Sequence, residues 1–260
     1  MRFELALTEF WGFMFVLVRT AAILMTLPLI GTRIVPMRVR AALAFAIALV
    51  FAPMVAVDLE PDWLVPLKLA IGLGTELLIG VVLGFATRLL FAAVEIAGTV
   101  MGYQVGFGVA VQLDPVNQVE TPVIGTFLVV LASLLYFAID GHHFILMALG
   151  SSFVLIPPFS GHLHPSLLTD GTQLMQNTFL LGLKLATPLM VSTVLVYLVL
   201  GILGRVIPQM NVLFLGFPLT ISIGLLVLGF GLPLFALLFQ QSILGLEGVL
   251  LDFLQEMGRG

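Results

Sequence analysis

The stretch GTVMGYQVGFGVAVQLDP, residues 98–115, is too apolar for an ordinary surface loop and too rich in glycine for an ordinary transmembrane helix. Gly98, Gly102 and Gly106 recur every four residues, a small-residue ridge along which a second backbone can come close. The ridge runs into Gly108, the β-branched Val109 and Val111, and Asp114-Pro115, which predict that the helix stops there. An irregular apolar segment cannot face lipid, because its unpaired amides have no water to bond; it must be enclosed by protein or line a cavity. The stretch therefore reads as a helix end followed by a loop at membrane depth, held inside something larger. A plain helix-packing ridge with no gating role is the alternative.

The rest of the chain agrees with a membrane setting. Of 260 residues, 60% are hydrophobic and 9% charged, against about 25% charged in an average soluble domain, and the mean hydropathy is +1.21. No polar tract is long enough for a separate soluble domain, so a single membrane domain of several helices is expected over 1–260. Glu4 and Glu9 stand where a signal peptide would carry only positive charge, and an uncleaved first helix is expected. There is no cysteine, which excludes disulfides and thiolate metal sites. A net charge of -4, with no basic cluster beyond RIVPMRVR, argues against a nucleic-acid partner.

Apolar runs of the length needed to cross a bilayer, about 20 residues, are read at 10–30, 41–57, 64–90, 122–139, 177–203 and 212–238. A shorter piece, 143–156, does not make a full span. Arg33, Arg38 and Arg40 place the first connection in the cytoplasm and so the N-terminus outside, with the segment DLEPDW on the far side. Residues 92–122 are long and half apolar, and Pro188, Pro208, Pro218 and Pro233 are expected to interrupt the later runs. The segment PPFSGHLHPSLLTDGTQ, 157–173, reads as an extramembrane loop.

Five charges are expected to be buried: Arg19, Glu76, Arg88 and Lys184 inside apolar runs, and Glu95 just beyond one. An arginine near a bilayer centre costs about 2.5–3.5 kcal/mol on insertion scales, so Arg19 should face protein or water. Glu76, Gly80, Gly84 and Arg88 follow at spacings of four, which suggests one helical face with Gly80 and Gly84 as close-packing positions. Glu76 and Arg88 are then about 18 Å apart and cannot neutralise each other. Arg19 with Glu76, and Lys184 with Glu95, are the candidate pairs. Packing ion pairs, or positions nearer water than the runs suggest, are an equally good reading of these charges.

No catalytic site is expected. Asp140, His142 and His143, with His162 and His164 further on, invite a metal reading, but adjacent histidines diverge on a helix and lack metal-ligand spacing. Asp140-Gly141 reads as a cap or turn between helices. No nucleophile with its base and no phosphate-binding loop is present, so no metal, cofactor or catalytic residue is assigned.

Several stretches together resemble the FliR/SctT family, the export-gate subunits of flagellar and injectisome type III secretion. They are Arg19 followed by LPLIGTRIVPMRVR, then TELLIGVVLGF, EIAGTVMGYQVGFG ending at LDP, FAIDGHHFIL, and RVIPQMNVLFLGFPLTISIGL, the most specific of them. Their order and spacing cover nearly the whole chain, and the flagellar branch fits better.

The resemblance implies an all-α membrane protein of bent and broken helical hairpins, with a FliP-like part over 1–172 joined to a FliQ-like hairpin and tail over 173–260. It implies a single copy among several FliP-like and FliQ-like subunits in the bacterial inner membrane, within the flagellar basal body and projecting to the periplasmic side. Unfolded substrate proteins would pass through the shared channel, with lipid around the assembly and no catalysis or cofactor. The hairpin tip, Arg205, Pro208, Gln209, Met210 and Asn211, would face a FlhB-like switch subunit. A channel plug would correspond to Gly106, Phe107, Gly108, Val109, Val111, Gln112, Leu113 and Asp114, with Val109 and Gln112 at positions that are bulky in the family and Phe107 nearby. From another class, an ion-coupled secondary transporter would also suit broken helices with Arg19, Glu76 and Lys184 in their spans, but no matching half-chains are visible. An intramembrane enzyme using Asp140 and the histidines ranks third.

Overall fold

The computed structural model describes residues 2–32, 35–55, 65–106, 123–161, 166–209 and 211–258. Among these, all regular structure is helical: α1 (Arg2–Thr26), α2 (Met37–Phe51) ending in a 3-10 turn (Ala52–Met54), α3 (Pro66–Val105), α4 (Val123–Ala138), α5 (Gly141–Leu155), α6 (Ser166–Val206) and α7 (Val212–Gly258). Five of these helices are long and apolar enough to cross a membrane. The helices α4 and α5 have 16 and 15 residues, each short of a span, and Ile139 and Asp140 separate them. The protein is an all-α membrane protein.

Three helices exceed the expected runs. The helix α3 does not stop near residue 90 but continues through Gly98 and Gly102 to Val105, 40 residues in all. Glycine weakens a helix chiefly through the backbone entropy it loses on folding; in an apolar surrounding a broken intrahelical hydrogen bond finds no water to replace it, so the helix persists. The end comes at Gly106, whose φ of 101° is open to glycine and strained for other residues. At the start of α6, residues 166–173 are helical and not a loop, and Thr172 turns its hydroxyl back onto the Thr169 carbonyl at 2.7 Å. The helix α7 runs twenty residues past 238, to Gly258.

The expected interruptions at Pro188, Pro218 and Pro233 do not occur, since all three lie within continuous helices. Packed neighbours and serine or threonine hydroxyls can satisfy the carbonyl that each proline leaves without its amide. Pro208 lies in the turn between α6 and α7. With 40, 41 and 47 residues, α3, α6 and α7 are each about 60–70 Å long, roughly twice the thickness of a hydrocarbon core.

The chain forms two compact units, and the long helices contribute to both. The first comprises Met1–Leu89, Asp140–Leu174 and Ile243–Gly260. Its centre is built by Phe15, Val16 and Ile23 of α1, Ile79 and Leu83 of α3, Leu149 of α5, and Ile243, Leu250 and Leu254 of α7, all buried. The helix α2 opens with Pro36 and no side-chain cap, and Arg38 and Arg40 oppose the positive end of its dipole. Tertiary contacts hold it: Arg40 donates to the Gly31 carbonyl at 3.2 Å, and Phe45 meets Phe13 edge-on at 5.3 Å. Gly80 and Gly84 seat α3 against α1. A Cβ on Gly80 would strike the Arg19 carbonyl and Ala22; one on Gly84 would strike Thr26 and the Ile23 carbonyl.

The second unit comprises Leu90–Ile139 and Met175–Ser242. Gly98 sets α3 directly against the backbone of Gly125 in α4, so the close approach that its small size permits is made within the chain. Gly182 similarly admits the Ala93 carbonyl and Ile96. Phe91 centres an aromatic cluster, meeting Tyr136 and Phe239 edge-on at 5.8 Å each, with Phe235 stacked on Phe239.

Gly84→Ala and Gly98→Ala should each destabilise the folded protein by about 1–3 kcal/mol, because the added carbon meets backbone that cannot move aside. Gly74→Ala, with nothing within 4 Å of its would-be carbon, should be neutral or slightly stabilising. Thermal unfolding of the protein in detergent, co-purified with the FliP-like and FliQ-like subunits that the resemblance implies, measures this; equal midpoints for all three variants would refute the close-packing role.

Candidate functional site

Arg19 lies at the centre of the first unit with no solvent exposure. Its position in α1 puts it against α3, where Nε donates to Glu76 Oε2 at 2.6 Å. Nη1 donates to Ser152 Oγ at 3.0 Å and Nη2 to the Ile156 carbonyl at 3.0 Å. The guanidinium plane is covered by the Phe153 ring, 4.2 Å from its centroid. One side chain thus joins α1, α3 and the end of α5. Serine at 152 is itself tied back to the Leu149 carbonyl at 2.7 Å, so its oxygen is held ready to accept.

In the second unit, hydroxyls of α6 and α7 fasten the C-terminus of α3, whose last carbonyls have no intrahelical partner. Tyr197 OH donates to the Gln104 carbonyl and Thr220 Oγ1 to the Val105 carbonyl, each at 3.2 Å. Thr193 Oγ1 donates to Gln104 Oε1, also at 3.2 Å. Gly102 is buried beside them. Gly106 follows, where a Cβ would stand 3.2 Å from the Phe217 ring. Phe107, Gly108, Val109, Val111, Gln112, Leu113 and Asp114 lie outside the described residues, as do Met210, His162, His164 and Arg33.

The remaining charges are not buried. Arg88, Glu95 and Lys184 are all exposed in the chain, and neither an ion pair between Lys184 and Glu95 nor any other partner of the three occurs among the described residues. For Arg88 the cause is helical drift. Each step of four residues turns about 40° beyond a full circle, so Arg88 is rotated about 120° from Glu76, off the buried face. Glu95 stands about 100° from Glu76 on the same count.

Between α6 and α7, where a hairpin tip was expected, Arg205 occupies the last turn of α6, where a cation suits the helix dipole. Asn211 Oδ1 accepts from the Phe214 amide at 3.2 Å and caps α7; Pro208 and Gln209 are exposed between the two helices.

Asp140 begins α5 with a left-handed φ of 57°, and its side chain does not cap the helix. The carboxylate instead faces His143 Nδ1 at 3.4 Å, both side chains being mostly exposed. Asp140, His142 and His143 can bring one ligand atom each within 4.8 Å of one another, closer than their sequence spacing suggests. The left-handed turn at Asp140 produces this proximity.

Sequence reading missed Ser152, Phe153 and the Ile156 carbonyl around Arg19, and Gln104, Thr193, Tyr197 and Thr220 around the end of α3. A signal existed for the last group, since Thr193 and Tyr197 stand four apart in an otherwise apolar run.

The arrangement defines an integral membrane protein whose deepest polar groups tie helices together and assemble no catalytic cluster among the described residues. The chain belongs to the family described as bacterial export proteins, family 1, whose model matches residues 10–246. It is 32% identical over 242 residues to the flagellar biosynthetic protein FliR of Escherichia coli K12, covering 93% of this chain and 92% of that one. FliR of Pectobacterium carotovorum is 35% identical over 86% of this chain and 84% of its own length. FliR of Bacillus subtilis 168 is 31% identical, covering 84% and 85% respectively.

Arg19→Leu strands the Glu76 carboxylate in an apolar interior and should destabilise the protein by about 3–5 kcal/mol, whereas Arg19→Leu with Glu76→Leu should recover most of the loss. Arg40→Leu, which removes one half-buried hydrogen bond, should cost about 1 kcal/mol. Unfolding midpoints of the protein co-purified with FliP-like and FliQ-like subunits test the series. A double variant no more stable than Arg19→Leu alone would show that the pair is not what holds the three helices.

Proposed function

We propose that this chain is a non-enzymatic subunit of the flagellar type III protein export gate, forming part of the channel through which unfolded substrate proteins leave the cell. The observation that carries this reading is similarity to FliR proteins over nearly the full length of both chains. Nothing among the relatives favours a secondary transporter. Family membership and the apolar helices support a place in the inner membrane.

The finer reading is a FliP-like part, about 1–172, joined to a FliQ-like hairpin and tail, 173–260, working in one complex with FliP-like and FliQ-like subunits and a FlhB-like switch at the tip. Exposed apolar surface supports it. Phe214 and Phe230 on α7 are 78% and 84% exposed in the chain, and the whole length of α7 cannot be covered by one bilayer. Helices about twice as long as the hydrocarbon core is thick fit an assembly that projects towards the periplasm, with apolar faces covered by neighbouring subunits.

The segment from Gly106 to Asp114 is proposed as the channel plug. Support comes from its base: the end of α3 is held by three hydroxyls at Gln104 and Val105, a fixed point from which a loop can be placed. An apolar constriction blocks water and ions by being dry as well as narrow.

Expressed alone, the chain should aggregate or be degraded; co-expressed with FliP-like and FliQ-like subunits it should purify as one complex. A stable, monodisperse monomer in detergent would count strongly against the reading. Deleting 107–113, or replacing Gly106 by a bulky residue, should leave the yield of complex unchanged while cells expressing the gate become permeable to ions and small solutes. Normal complex yield with an intact permeability barrier after the deletion would rule out the plug.

A further inference from the structure

Between Val123 and Leu155 every acidic or basic side chain belongs to Asp140, His142 or His143, all at the start of α5 and within the first compact unit. Consecutive helical positions point about 100° apart, so neighbouring histidines on a regular helix diverge. These two converge. Their rings lie 4.3 Å apart between centroids and 33° from parallel. An aspartate just before a helix ordinarily turns its carboxylate onto the first free amides. Asp140, at a left-handed φ of 57°, makes no such cap, and its Oδ1 stands 3.4 Å from His143 Nδ1. That is longer than a good N–H···O hydrogen bond, about 2.7–3.2 Å. It matches two ligands of one tetrahedral ion, since bonds of about 2.0–2.1 Å set neighbouring ligand atoms about 3.4 Å apart. One ligand atom from each of the three residues lies within 4.8 Å of the others. Asp140 and His143 are mostly exposed, so small side-chain rotations close the set without moving the helix.

We propose that Asp140, His142 and His143 form a binding site for one divalent cation of the zinc class, with water at the fourth coordination position. Two imidazoles and one carboxylate suit zinc, cobalt(II), nickel or copper(II), whereas magnesium and calcium take shells of oxygen. The carboxylate also offsets the positive end of α5, which would otherwise repel a cation. The role is structural. The three groups converge only while Asp140 keeps its left-handed turn, so an ion that binds them stabilises that turn over alternatives that scatter the ligands. The spacing of the histidines conceals the site because spacing rules assume a regular helix, and the residue that completes the set lies just outside one. All three ligands belong to this chain, so the site stands or falls apart from the gate reading.

The test uses the protein co-purified in detergent with FliP-like and FliQ-like subunits on a tag without histidine, stripped with EDTA and dialysed. Zinc should raise the unfolding midpoint of this chain and EDTA should reverse the rise. Cobalt(II) should give the visible absorption bands of a tetrahedral site with nitrogen and oxygen ligands. His142→Gln and His143→Gln each remove an imidazole, and Asp140→Asn removes the charge while keeping a residue that tolerates the left-handed conformation. Each should weaken cobalt binding by at least about tenfold and abolish the zinc-dependent rise. Every variant is compared with its own metal-free midpoint, so a loss of intrinsic stability is not mistaken for a loss of the ion. Glu95→Gln, which removes an exposed carboxylate elsewhere, should bind cobalt as the wild type does. Wild-type protein with neither cobalt bands nor a zinc-dependent rise overturns the site. Bands and a rise that survive Asp140→Asn and His143→Gln overturn it as well, and assign the ion to other residues of the complex.

Discussion

A guanidinium placed in an apolar interior must find a counter-charge and acceptors for its remaining hydrogens, and Arg19 finds them on two other segments. Glu76 supplies the charge, Ser152 and the Ile156 carbonyl supply acceptors, and Phe153 covers the open face. Replacing such a pair by packed aliphatic residues often stabilises a protein. Its contribution is therefore better understood as selection among arrangements than as net stability. Apolar helices can slide against one another at little cost, since one aliphatic contact replaces another. With Arg19 present, a slip of one turn on either side leaves a buried charge without its partner. The glycines of α3 act in the same direction: Gly80 and Gly84 let the α1 backbone come near enough for a hydrogen bond of 2.6 Å to form.

How far the sequence discloses this depends on the kind of signal. Two opposite charges, each deep in an apolar run and too far along its own helix from any counter-charge, have few ways to be satisfied, and Arg19 with Glu76 could be named as a pair for that reason. Arg88 was legible as a charge but not as an exposed one, because spacing of four tracks a helical face for a turn or two and then leaves it. Ser152 and the Ile156 carbonyl were not legible at all. A serine in an apolar helix is ordinary, and a backbone carbonyl has no sequence signature; only the path of the chain brings them to Arg19.

Proline was misleading in a consistent way. It removes a backbone amide and crowds the preceding turn, which foretold breaks at Pro188, Pro218 and Pro233 that the helices ignore. Gly98 and Gly102 sit inside α3, whereas Gly106, of the same ridge, ends it with a positive φ. Spacing alone cannot separate these cases. What distinguishes Gly106 is the partner beyond it: the hydroxyls of Tyr197 and Thr220 take the carbonyls that the helix leaves open.

The two halves of the charge inventory then have a common explanation. Charges that the chain satisfies internally, Arg19 and Glu76, lie where α1, α3 and the end of α5 meet. Those without a partner among the described residues, Arg88, Glu95 and Lys184, are exposed in the chain, as are large aromatic side chains such as Phe85, Phe214 and Phe230. Lipid can cover the aliphatic surface but offers no matched partner to a lone charge deep in a span. A surface that mixes both is suited to protein neighbours, where area and charge can be met together. For this chain, which charges of its apolar helices are paired among the described residues separates the interior of its own fold from the surface that the proposed assembly would cover.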